Sequence, residues 1–165
     1  MRWLQRDSGT PCRPPIGVVG PRKASDAERE AAFLLGAGLA GLGLTLLCGG
    51  KTGVMEAVCA GAASAGGVSI GLLPEGKWQA ANRFVTVPIA TGIGVARNAI
   101  IARAALALVA IGGGHGTLSE IAFALQFGRP VLTLLGAPAV AGTRPAPSPD
   151  SALDTVCEIV LALPE

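Results

Sequence analysis

Apolar residues in this chain gather into short runs, each ended by a glycine-bearing turn and followed by a longer segment of helical character. The runs Ile16–Val19, Leu44–Cys48, Val68–Leu73, Phe84–Val87, Leu106–Ile111 and Val131–Leu135 predict strands. Residues 26–41, 53–65, 94–104, 117–127 and 151–162 predict helices, the first opened by a capping box, Ser25-x-x-Glu28. Strands that alternate with helices define a doubly wound α/β fold. The expectation is therefore a Rossmann-like, mainly parallel sheet of about six or seven strands with helices on both faces. Residues 1–14 read as an N-terminal arm and 15–165 as one domain, with the Pro/Ala-rich stretch 136–150 as a loop before the last helix.

Composition complicates that picture before it supports it. Half of the 165 residues are hydrophobic, 15% are charged, 24 are glycine, and mean hydropathy is +0.54. Disorder is excluded by so much apolar surface. Ala31 to Gly50 is an uncharged stretch of twenty residues, the length that spans a bilayer. Gly41 and Gly43 break it, however, and Asp26, Glu28, Arg29 and Glu30 occupy the helical turns just before it. The stretch 57–73 breaks in the same way at Gly66-Gly67, and no Lys/Arg cluster flanks either one. Parallel strands buried on both faces account for the hydropathy, so no membrane partner is expected. Arg2 and Arg6 precede no apolar run, which argues against a signal peptide and for a cytoplasmic protein.

The net charge of +2 comes from 13 basic and 11 acidic residues with no basic run, so no nucleic-acid partner is expected. Cys12, Cys48, Cys59 and Cys157 lack a Cys-x-x-Cys spacing and the chain has one histidine, so no structural metal is expected. Cys48 and Cys59 fall on apolar elements and read as buried thiols.

Chemistry concentrates where strands end. Gly20-Pro-Arg-Lys-Ala-Ser25, Gly49-Gly50-Lys51-Thr52-Gly53 and Gly112-Gly113-Gly114-His115-Gly116-Thr117 each follow a predicted strand and open a helix. Small residues let a backbone approach an oxyanion, and helix N-termini supply N–H donors. A small phosphorylated ligand is the expected partner. Gly50-Lys51-Thr52 mimics the end of a P-loop, but the first glycine of that motif would fall on Thr45. Neither G-x-G-x-x-G after the first strand nor G-x-S-x-G is present. His115 reads either as a loop side chain or as a base. Thr117-x-x-Glu120 reads as a capping box or as a carboxylate at the mouth of a phosphate turn. Arg97, beside Asn98, reads as a solvated helix residue or as a fork of donors for phosphate.

Three segments together resemble the Rossmann-like "Lonely Guy"/lysine-decarboxylase-like superfamily: Cys48-Gly-Gly-Lys-Thr-Gly-Val-Met-Glu-Ala57, Thr91-Gly-Ile-Gly-Val-Ala-Arg-Asn98 and Gly112-Gly-Gly-His-Gly-Thr-Leu-Ser-Glu120. In the hydrolase branch, P-G-G-x-G-T-x-x-E binds the phosphate of a nucleoside monophosphate, and its Glu works with an upstream Arg to cleave the N-glycosidic bond. The resemblance implies those roles for Glu120 and Arg97, separated here by the branch's interval of 120 − 97 = 23 residues. Three departures point elsewhere. Arg97 is followed by Asn98 where the hydrolases have Arg-Lys, Gly112 replaces the first Pro of P-G-G, and Gly53-Val54-Met55-Glu56 replaces G-L-M-G. All three resemble the branch of molybdenum cofactor carrier proteins, which bind a phosphorylated pterin. Decarboxylation through pyridoxal phosphate is not expected, because Lys23, Lys51 and Lys77 show no Schiff-base setting.

Two functions follow as expectations. One is a carrier for molybdenum cofactor (molybdopterin) or a nucleotide. It would be held by Gly20, Gly49, Gly50, Lys51, Thr52, Gly53, Glu56, Arg97, Asn98, Gly113, Gly114, His115, Gly116, Thr117 and Glu120. The other is a nucleoside 5′-monophosphate phosphoribohydrolase in which Arg97 and Glu120 are catalytic. Trp78 and Phe84 are the nearest aromatics for a heterocycle, Phe84 reading equally as core. The resemblance also implies a homo-oligomer, dimer or tetramer, and the helix face bearing Phe33, Leu34 and Leu35 suits one.

Overall fold

The computed structural model describes residues 14–163, so residues 1–13 of the N-terminal arm lie outside it, as do 164 and 165. Seven strands form one sheet: β1 (Ile16–Val19), β2 (Leu46–Cys48), β3 (Ser69–Leu73), β4 (Val87–Ala90), β5 (Leu108–Ile111), β6 (Val131–Leu134) and β7 (Arg144–Pro145). Their order is β4-β3-β2-β1-β5-β6-β7, and every pair is parallel. Five α-helices cover it: α1 (Asp26–Gly41), α2 (Val54–Ser64), α3 (Arg97–Ala104), α4 (His115–Gln126) and α5 (Pro149–Leu161).

The central strands bury both faces, which is why they read as unbroken apolar runs. Ile16, Val18, Leu46, Cys48, Val109 and Ile111 point into the core shared with α1, α2 and α5. Their alternates Val19, Leu47, Leu108 and Ala110 point into the core shared with α3 and α4. The uncharged stretch 31–50 resolves into α1, a turn at Leu42–Gly43, β2 and the turn beyond it. Its helical glycines serve packing: a Cβ on Gly36 would strike Val58 of α2, and one on Gly61 would strike Phe33 of α1. Among the described residues no helix is long and apolar enough to cross a membrane.

Two elements differ from expectation. The run Phe84–Val87 is mostly turn: Asn82 Oδ1 accepts from Phe84 N, Val85 N donates to Asn82 O, and the strand begins only at Val87. β4 then runs through Pro88, which an edge strand tolerates because one side of it needs no N–H donor. The stretch 136–150 contains β7, anchored where Ala146 N donates to Thr133 O. Cys48 and Cys59 are buried and free, their sulfurs 3.5 Å apart. Phe33 and Leu34 are exposed, whereas Leu35 belongs to the core.

Candidate functional site

Strand order reverses at β1. The chain works outward through β2, β3 and β4, then returns to lay β5 on the other side of β1. Crevices that take ligands in such sheets lie beyond the carboxyl ends of the strands at this switch. Here the turns after β1 and β5 abut, for a Cβ on Gly20 would sit 2.6 Å from Ile111 O. The turn after β2 interlocks with the first. Val54 N donates to Pro21 O (3.1 Å), Thr52 Oγ1 donates to Arg22 O (3.3 Å), and Gly53, at φ +72°, has those carbonyls where a side chain would stand.

The third turn departs from P-G-G for a visible reason. Gly112 adopts φ +54°, which proline's ring forbids, and a Cβ there would overlap the Glu28 carboxylate. That carboxylate is fixed by the expected capping box, accepting from Ser25 N (2.7 Å) and Ser25 Oγ (2.9 Å). Gly112→Pro is therefore expected to displace the turn and lower Tm by about 10 °C, readable by thermal unfolding followed by circular dichroism.

Thr117-x-x-Glu120 is not a capping box. Helix α4 starts two residues earlier, at His115, with Gly114 as its N-cap and no side-chain cap bond. Gly113, Gly114, His115 and Gly116 are exposed, while Thr117 is buried with its hydroxyl against Gly113. Glu120 points inward to Arg97, the first residue of α3. The two are 6% and 5% exposed, and Arg97 Nη1 donates to Glu120 Oε1 at 3.3 Å. The guanidinium lies over the backbone of Gly49, in the place a Cβ would need. Arg97 Nε is buried without a hydrogen-bond partner among the described residues. Asn98 Nδ2 donates to Ser119 Oγ (3.0 Å), which donates to Gly116 O (2.7 Å), so Asn98 braces the third turn.

Burial dominates the electrostatics of this pair. It pushes the Glu120 carboxyl up to about 7, the nearby guanidinium only partly opposing it, and it draws Arg97 below its ordinary range. The raised carboxyl has a definite consequence for stability. Folded Glu120 holds its proton through a window, from an ordinary 4.5 up to about 7, in which the unfolded residue has lost it. Its contribution is thus full below pH 4.5 and fades as pH rises through 7. Glu120→Gln is expected to flatten the fall in unfolding free energy between pH 5 and pH 8, measured by urea titration at each pH.

Lys51 is held sideways. Its Nζ sits 2.9 Å from Glu75 Oε1 and donates to Ala80 O at 2.7 Å, and the contact with Lys51 lowers the Glu75 pKa. Glu56 is half-buried in the first turn of α2. The structure thus brings Gly49, Arg97, Glu120 and Asn98 together with the third turn, and packs Gly20, Thr52 and Gly53 where the first two turns interlock, while Gly50 lies against Gly71 and Leu73 of β3. Glu75 and Arg22 carry no motif in the sequence, yet both of their charges bear on Arg97. Their signal was placement: each lies within three residues of the carboxyl end of a strand.

Fold and site define a Rossmann-like α/β protein with glycine turns and a buried Arg97–Glu120 pair gathered at its topological switch point. Residues 13–159 match the SLOG cluster4 family, and the chain belongs to that family. It is 40% identical over 139 residues to an uncharacterized protein of Archaeoglobus fulgidus, covering 84% of this chain and 91% of that one. The structure is similar to that of the molybdenum cofactor binding protein of Rippkaea orientalis (TM-score 0.86, 34% identity, 92% of this chain and 99% of that one). It is also similar to the molybdenum cofactor carrier protein of Chlamydomonas reinhardtii (TM-score 0.84, 34% identity, 91% and 99%).

Proposed function

We propose that this protein is a carrier that binds a phosphorylated heterocyclic cofactor, molybdenum cofactor in the first place, in the crevice beyond β1, β2 and β5. The observation that carries this reading is Arg97, a buried cation whose Nε has no partner among the described residues and whose salt bridge to Glu120 spans 3.3 Å. A buried donor without an acceptor is costly, and an oxyanion is the ligand that would satisfy it. The open backbone at Gly113–Gly116 and the N-terminus of α4 would share the phosphate, with Gly49, Gly50, Thr52, Gly53 and Gly20 as the close wall. Lys51, Glu56, Asn98, His115, Thr117 and Glu120 would orient these groups. The likeness to two proteins named for molybdenum cofactor adds support. A cytoplasmic homo-oligomer, with residues 15–165 as its single domain, completes the proposal; exposed Phe33 and Leu34 suit a subunit contact.

One observation favours a second reading. A buried carboxyl with a pKa near 7 beside a guanidinium is the equipment of a general acid or base, as a phosphoribohydrolase would need. Incubation with AMP and other nucleoside monophosphates separates the two. The carrier reading expects no free base. Base release that Glu120→Gln abolishes would establish the hydrolase instead.

A further inference from the structure

A phosphate site explains one end of such a ligand and leaves its ring without a partner. Flat heterocycles are commonly held by stacking on an aromatic side chain. The described aromatics narrow quickly. Phe123 and Phe127 stack on each other at the far end of α4, and Phe33 lies on the outer face of α1. Phe84 packs against the core beneath the guanidinium of Arg83, 4.7 Å from its ring centre. Trp78 remains, 62% exposed in the short turn Trp78–Ala80 between β3 and β4.

That turn is held firmly at the crevice. Lys51 Nζ donates to Ala80 O (2.7 Å) and reaches Glu75 (2.9 Å). Asn82 N donates to Gly50 O, and Asn82 Nδ2 to Lys51 O, both at 2.9 Å. On its other flank Gly92 N donates to Glu75 O (3.1 Å) and Gly94 N to Pro74 O (3.0 Å). These bonds fasten the backbone around Trp78 to the turn whose Gly49 carries the Arg97 guanidinium. So large an apolar side chain is seldom left this open, and here its support is ordered in advance.

We infer that Trp78 is the platform on which the ring of the phosphorylated ligand stacks, with Lys51 and Asn82 as positioning residues that fix it. The inference rests on the phosphate-site reading and extends it from one end of the ligand to the other.

The test is calorimetric titration with 6-hydroxymethylpterin phosphate and AMP, each against ring-free probes, methyl phosphate and ribose 5-phosphate. Trp78→Ala is expected to weaken the better ring-bearing probe by roughly 10- to 100-fold, as loss of a stacking partner does. Trp78→Phe should retain most of the affinity, and ring-free probes should bind every variant alike. Equal ring-bearing affinity in wild type and Trp78→Ala overturns the inference while leaving the phosphate site intact. So does a loss shared by the ring-free probes, which would mark Trp78 as merely structural. A wild-type protein that binds none of the four probes overturns the phosphate reading and this inference with it.

Discussion

Arg97→Met is expected to reduce affinity for a phosphorylated ligand by about 100-fold or more, the scale seen when one member of a buried charge pair is removed. Among the described residues the guanidinium is the one buried cation at the crevice, and its Nε has no partner there. Methionine keeps much of the aliphatic stem and removes every donor. The substitution should leave the fold standing. Burial already drives the Glu120 carboxyl up to about 7, and without the guanidinium nothing opposes that shift, so the residue takes up a proton instead of remaining a buried anion. A calorimetric titration checks the affinity. Adding Glu120→Gln in the same chain should recover stability without recovering binding, which separates the two roles of Arg97.

Gly53→Ala is expected to be the most damaging single-methyl change in the crevice wall. Its backbone, φ 72° and ψ −128°, lies where residues other than glycine are strained, and the new Cβ would press on Pro21 O and Arg22 O. Both penalties act at the joint between the first two turns. Gly66→Ala isolates one of them, because Gly66 has φ +69° but open space where the Cβ would point. Strain alone should cost about 1 kcal/mol at Gly66, and strain with collision roughly 3 kcal/mol or more at Gly53. Urea unfolding of the two variants checks the difference. Similar losses at both positions would contradict the interlocked turns.

Most of the architecture was legible because burial on both faces leaves a plain trace: Ile16–Val19, Leu108–Ile111 and Val131–Leu134 carry no polar alternate but Thr133. The bounds of α1 follow from its capping box at Ser25 and the glycine break after it. What failed was local and physical. β4 begins late because Asn82 captures the backbone of Phe84 and Val85 in a turn, a competition that hydrophobicity does not reveal. β7 is two residues long, too short for any periodicity. Glu120 was legible as important but its cap role was not real, because three glycines in a row hide where α4 starts. Its pairing with Arg97, 23 residues away, was legible only through the family resemblance; the packing of α3 on α4 is what brings the two side chains together. The latch of Lys51 by Glu75 was invisible in the sequence, because it joins two loops at the ends of adjacent strands.

Whether the site around Arg97 carries molybdenum cofactor is read most directly from the molybdenum and oxidised-pterin content of the protein purified from cells that synthesise the cofactor, with Arg97→Met purified alongside. The carrier account predicts molybdenum and pterin together in the wild-type protein and loss of both in the variant. A wild-type protein free of both, or one whose content Arg97→Met leaves unchanged, would contradict it.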